Sequence, residues 1–226
     1  THVVVGYPSL EETKQIVRVM AEEGVDFIEL QIPFSDPLAD GPTIMRACEE
    51  SLANGTKVKD AFVLMHELSK EVSAPLIVMG YFNTVFVYGV EKFCRDAAAA
   101  GAAGLIIPDI PIEEESQEHF YAYCRQYNLH AIHVISPAST DERLQKNAAL
   151  ATGFIYATAR QGITDANKGI APEIEAFLKR VKAYFSIPLA VGFGISSKER
   201  IDAIKDQADI AILGSALIDI TRESAK

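Results

Sequence analysis

The chain has 226 residues, 49% of them hydrophobic, with a formal net charge of −10. Such content can fill the core of one domain, while the acidic balance and the lack of a basic stripe exclude a nucleic-acid surface. The longest uncharged apolar run, Ala97 to Pro108, has twelve residues, whereas a bilayer span needs ~20, so no membrane span is expected.

In chain order, the first apolar run, Val3 to Gly6, reads as a strand. The segment Leu10 to Glu22 follows as a helix, opened by Ser9 with an acid three residues on and carrying Ile16, Val19 and Met20 at helical spacing. Further strands are expected at Phe27 to Ile32, Leu76 to Tyr81, Gly104 to Pro108, Ala131 to Ile135, Phe154 to Thr158, Leu189 to Phe193 and Ile210 to Leu213. Helices are expected at Thr43 to Ala53, Lys59 to Glu71, Val90 to Ala100, Glu113 to Tyr127, Asp141 to Ala149, Pro172 to Phe185, Ser197 to Asp206 and from Ala216. Most strand cores show no polar alternation, as in parallel sheets buried on both faces. Eight strand and helix pairs at about 28 residues each, with no linker between them, favour an α/β fold of the closed (β/α)8 type over an open doubly wound sheet. Residues 1–226 are thus expected to form a single TIM-barrel domain, whose site lies in the loops after the carboxyl ends of the strands.

One such loop is ELQIPFSDPLADGPTI, Glu29 to Ile44. Alternation along the strand puts Phe27, Glu29 and Gln31 on one face and Ile28, Leu30 and Ile32 on the other. With the apolar set against the helices, Glu29 and Gln31 point into the barrel, where a carboxylate must be bonded, solvated or chemically employed. Pro33, Pro37 and Pro42 stiffen the loop that carries Asp36 and Asp40. A strand acid and a loop acid in different surroundings suit general acid and base work. Asp36 by itself fits a turn or capping role equally well.

Cys48, Cys94 and Cys124 are scattered and odd in number, matching neither a disulfide framework nor a metal pattern, and read as packing residues. His130 and His133 point to opposite faces of one strand and read as ordinary solvent or packing histidines, so no metal site is expected. The amino terminus has no basic segment followed by an apolar stretch, which leads to the expectation of a cytoplasmic protein.

The loop sequence resembles the signature of the tryptophan synthase alpha chain family. The likeness continues in that family's order through GYFNTVFVYGVEKF, GLIIPDIPIEE, ISPASTDERL, GFIYATARQGIT, VGFGIS and ADIAILGSA, covering about Val4 to Ser215. This resemblance implies a lyase that splits indole-3-glycerol phosphate into indole and glyceraldehyde 3-phosphate by a retro-aldol reaction, without metal or cofactor. By position, Glu29 falls on the acid and base for the carbon and hydroxyl protons, and Asp40 on the carboxylate that bonds the indole NH. Tyr156 matches a tyrosine near the reacting centre, and Tyr81 and Asn83 match residues around the indole pocket. Arg160 and Thr164 match the loop after strand six, and Asp109 an acid with a catalytic, structural or inter-subunit role. Gly194, Gly214 and Ser215 stand in the loops after strands seven and eight, the usual phosphate loops of this architecture. The resemblance also implies a tryptophan synthase beta chain as partner in an alpha2-beta2 complex, with pyridoxal phosphate only in that partner.

Three positions depart from the family pattern. Gln31 replaces a glycine and is expected either to crowd the indole pocket or to hydrogen-bond Glu29. Asp165 replaces a glycine near the phosphate, where its charge would oppose binding unless it points away or is offset by Lys168, and Tyr7 replaces an aspartate after strand one. The chain also starts almost at strand one and stops soon after strand eight, so the family's leading helix is expected to be absent and its last helix short. Two other readings stay open on these grounds: a catalytically weakened alpha-like subunit that activates the beta chain allosterically, and a free-standing lyase that releases indole. An unrelated sugar-phosphate isomerase on the same barrel is a further alternative, since fold does not fix chemistry.

Overall fold

The computed structural model describes residues 1–158, 171–192 and 194–224. Eight strands, β1 (His2–Val4), β2 (Ile28–Gln31), β3 (Leu76–Met79), β4 (Gly104–Ile106), β5 (His130–Ile135), β6 (Ile155–Ala157), β7 (Leu189–Val191) and β8 (Ile210–Ala211), pair in parallel and in sequence order. The ring closes where the His2 N–H donates to the Leu213 carbonyl at 2.9 Å. Ladder bonding outlasts the strands themselves: the Ile32 N–H reaches Met79 and the Ile212 N–H reaches Val191, each at 2.9 Å. This is the eightfold α/β barrel that the sequence pattern implies.

Parity along β2 sets the register. Ile28, Leu30 and Ile32 pack outward with Val17, Met65 and Leu68 of the surrounding helices. Inside the barrel lie Ile77, Met79, Ile106, Ile132, Phe154, Ala190 and Ile212. A slip of one residue would exchange three outward aliphatic side chains for Glu29 and Gln31, and each aliphatic side chain gains about 1.5–3 kcal/mol on burial. The inward direction of Glu29 is therefore enforced by its neighbours.

Eleven helices are present among the described residues: α1 (Leu10–Glu22), α2 (Pro42–Ala53), α3 (Val58–Leu68), α4 (Phe82–Tyr88), α5 (Val90–Ala99), α6 (Glu115–Glu118), α7 (Phe120–Gln126), α8 (Asp141–Ala148), α9 (Pro172–Tyr184), α10 (Lys198–Ile204) and α11 (Ser215–Ser224). The Ser9 hydroxyl caps α1 by accepting from the Glu12 N–H at 3.2 Å, as its spacing predicts. Two features differ from expectation. The helix expected over Glu113 to Tyr127 is broken at His119, whose φ of 54° is left-handed. The Glu115 carboxylate turns back there to accept from the Tyr121 and Ala122 N–H groups at 2.8 and 2.9 Å, starting α7 afresh. Helix α4 was not expected; Asp109 Oδ1, on the neighbouring loop after β4, accepts from the Phe82 N–H at 2.7 Å and caps it.

Candidate active site

Glu29 sits on β2 inside the barrel with 4% of its surface exposed. β1 and β2 pair His2 opposite Glu29, and the Nδ1 of His2 lies 3.1 Å from Oε2 of Glu29. The other ring nitrogen of His2 is buried and has no partner among the described residues.

Asp40 reaches the same mouth from the loop. A turn in which the Asp40 N–H donates to the Pro37 carbonyl at 2.9 Å brings the chain back over the barrel. One carboxylate oxygen, Oδ2, then accepts from Gln31 Nε2 at 2.7 Å and from the Tyr81 hydroxyl at 2.8 Å. The Tyr81 oxygen also accepts from the Ala39 N–H at 3.1 Å, and its ring stacks on Phe34 with centroids 5.3 Å apart. Tyr81 thereby fastens the loop through a side chain and a backbone group together. Burial, followed by the charge of Asp40 and the bond to it, pushes the Tyr81 hydroxyl far above its ordinary pKa, so it remains a donor. Gln31 is fully buried; its amide joins Asp40, not Glu29, which corrects the expectation for this residue. Its carbonyl oxygen is buried with no partner among the described residues.

Tyr156 projects from β6 into the same space. Its pKa is raised well above the usual value by burial first and then by the charges of Glu29 and Asp40, which keeps the hydroxyl protonated. A Cβ at Gly192 would lie 2.6 Å from this oxygen. Gly192 thus makes room for Tyr156, and no sequence motif marks that role, because the large partner is 36 residues away.

The remaining expected residues are dispersed. Asn83 is exposed on the first turn of α4, outside the bonded group. Gly194 has φ of +67°, with its carbonyl held by Arg200 Nη1 at 2.6 Å. Gly214 precedes α11, whose first residue is Ser215; the N–H groups of Leu217 and Ile218 donate to the Gly214 carbonyl, while those of Ser215 and Ala216 have no backbone acceptor among the described residues and can meet an anion. Asp36 is exposed and accepts from Ser35 Oγ at 2.5 Å, consistent with its turn reading. Tyr7 packs with Ala47, Cys48 and Ile218, away from the carboxylates. Arg160, Thr164, Asp165 and Lys168 lie outside the described residues, as does Phe193. His2 is the residue that sequence reasoning missed, since it stands one position before the expected strand and shows no alternation signal.

A closed parallel barrel with two carboxylates converging on the carboxyl-terminal mouth defines a TIM-barrel enzyme of the acid–base type. Residues 1–226 match the family model described as tryptophan synthase alpha chain. The alpha chain of Desulfotalea psychrophila is 44% identical over 224 residues, covering 99% of this chain and 87% of its own, and that of Petrotoga mobilis is 40% identical, covering 100% and 86%. Among solved structures, tryptophan synthase from M. tuberculosis in an aminoacrylate-bound form superposes with a TM-score of 0.88 at 35% identity, covering 98% of this chain and 84% of that one. The tryptophan synthase a2b2 complex from Pyrococcus furiosus gives 0.90 at 32%, covering 98% and 89%. The chain belongs to the tryptophan synthase alpha chain family, and it is a lyase of that class, which cleaves indole-3-glycerol phosphate.

Proposed function

We propose that Glu29 and Asp40 divide the chemistry of this cleavage between them. The observation that carries the assignment is the burial of Glu29 inside the barrel beneath a loop acid latched over the same mouth. With Oδ2 of Asp40 occupied by two donors, Oδ1 is the oxygen left to accept the indole N–H, supporting that nitrogen as the ring becomes electron-poor. Protonated Glu29 gives its proton to the ring carbon that bears the side chain. The resulting carboxylate takes the proton of the adjacent hydroxyl as the carbonyl forms, and the electrons of the breaking carbon–carbon bond return to the ring. Tyr156 stays a neutral donor beside the reacting atoms. Gly194, Gly214 and Ser215 offer backbone N–H groups and a hydroxyl to the phosphate. No proton transfer in this scheme calls for a cofactor within the chain, and pyridoxal phosphate belongs to the beta partner.

Turnover and binding, measured together, test this assignment. Glu29→Gln is expected to lower kcat by at least the ~10²–10⁴-fold typical of a lost general acid–base group, while affinity for indole-3-propyl phosphate, which lacks the reacting hydroxyl, is retained. Turnover near wild type in this variant would reassign the acid.

The beta chain is assigned to the rim of the mouth, where Leu38, Phe86 and Val87 are exposed by 83%, 56% and 78%. Apolar side chains in that number on one rim suit a partner surface. An alpha2-beta2 assembly, a cytoplasmic setting and one domain over residues 1–226 complete the reading; no described helix is long and apolar enough to cross a membrane. The Gln31–Asp40 bond supports a competent lyase over a weakened activator subunit, because Gln31 holds the loop acid in place.

A further inference from the structure

We propose that His2 is the proton store of the active site, supplying to Glu29 the proton that Glu29 delivers to the ring carbon. The proposal rests on the reading of Glu29 as the acid. The first step needs Glu29 in its protonated form, so a neighbouring group able to hand it a proton bears directly on that step. Bulk water is a poor source, since Glu29 and His2 are only 4% and 5% exposed. An imidazole 3.1 Å from the carboxylate, by contrast, is of the one side-chain type that ordinarily takes up a proton near neutrality.

The transfers balance. In the resting pair both ring nitrogens of His2 carry a hydrogen, and the Nδ1–H donates to the Glu29 carboxylate. On substrate binding the Nδ1–H bond breaks and an Oε2–H bond forms, leaving a neutral imidazole. Glu29 then passes the proton to the ring carbon, accepts the hydroxyl proton as the carbonyl appears, and returns it to Nδ1. No outside reductant, oxidant or base enters the cycle.

Register holds the pair rigidly, because His2 and Glu29 are direct cross-strand partners and the His2 backbone N–H is tied to Leu213. The titratable groups near the pair are Tyr156 from β6 and the amino group of Thr1, each of which feels the charge of Glu29; Asp40 from the loop after β2 acts on Tyr156 in turn, and Asp26 before β2 acts on Thr1. From the β8 side Gly214 approaches the ring, with a Cβ built at that position 3.8 Å from Cδ2 of His2, and it carries no charge. Tyr156 is held protonated, as described above, and His2 is the group of this set within hydrogen-bonding distance of the Glu29 carboxylate.

The test compares His2→Phe and His2→Gln with the wild type, following indole release from indole-3-glycerol phosphate from about pH 5 to 8, the range over which an imidazole changes charge. Binding of indole-3-propyl phosphate is measured in parallel. Both variants are expected to lose kcat by ~10²-fold with analogue affinity retained, and their pH profiles should differ in shape from that of the wild type. His2→Gln retains a hydrogen bond to Glu29 and no titratable proton, so wild-type turnover in that variant would reduce His2 to an orienting group and overturn the proposal. Wild-type turnover in His2→Phe, or a loss of analogue affinity equal to the loss of turnover, would overturn it as well. An inactive Glu29→Gln beside unaffected His2 variants sinks the proton store alone; an active Glu29→Gln sinks the assignment of Glu29 itself.

Discussion

Asp40 receives both of its side-chain donors on a single oxygen, from Gln31 at 2.7 Å and Tyr81 at 2.8 Å. Hydrogen bonds to a charged group contribute about 1.5–3 kcal/mol each, which is enough to hold a short proline-braced loop against the barrel. Replacing Gln31 by Leu keeps the volume and removes one donor. We expect ~10-fold lower kcat from Gln31→Leu, on the scale that 1.36 kcal/mol sets for a rate, with a comparable loss in Tyr81→Phe; stopped-flow indole release would measure both. Unchanged rates in the two variants would show that the latch does not position Asp40. The inward direction of Glu29 was readable from parity, a local property of β2, whereas the choice of Asp40 over Asp36 came from the resemblance to the family. The partner of Gln31 was not readable, because strand parity puts its amide on the same face as Glu29, and only the turn from Pro37 to Asp40 decides which acid comes within reach.

Among the elements, β5 carries a pH dependence of stability. His133 is buried on its outer side, stacked on Tyr121 of α7 with centroids 4.6 Å apart, and its Nδ1 lies 2.7 Å from Asn147 Oδ1 on α8. Burial lowers its pKa below the usual 6.5, with the Asn147 bond opposing. The unfolded chain therefore takes up this proton first, and stability is full above about pH 6.5 and falls as pH drops through the interval below it. His133→Phe should lose less melting temperature than the wild type between pH 8 and pH 5, as followed by circular dichroism; an equal loss in both would clear His133 of this role. The elements that sequence periodicity misplaced have a common origin. Helix α4 starts on a carboxylate from a different loop, Asp109, and α7 restarts on a carboxylate that turns back on itself, Glu115. Periodicity sees the apolar face of a helix and is blind to caps delivered from elsewhere.

For the whole molecule, the ring of eight strands places every loop that follows a strand on one end, so in the proposed arrangement a single rim carries the chemistry and the partner surface together. Leu38 belongs to the loop of Asp40, and Phe86 and Val87 to α4, so a beta chain seated there would bear directly on the latched acid. Phe86→Asp with Val87→Asp should weaken association with the beta chain by at least ~10-fold, the effect of losing ~1.4 kcal/mol, while the cleavage rate of the isolated chain stays at its starting value. Calorimetric titration with the beta chain, alongside the indole assay, distinguishes this from a general loss of folding. Eightfold order was legible because each strand is a short apolar run bounded by turns, and closure was legible because eight such units without a linker have few other ways to bury both faces.

The central claim, that this barrel performs the retro-aldol cleavage with its own two carboxylates, is tested most directly by incubating the purified chain with indole-3-glycerol phosphate, alone and with a beta chain but no serine, and quantifying both products. Equal amounts of indole and glyceraldehyde 3-phosphate from the wild type, with neither product from Glu29→Gln, are the predicted result. Absence of both products from the wild type in either condition, or their release by Glu29→Gln at the wild-type rate, would contradict it.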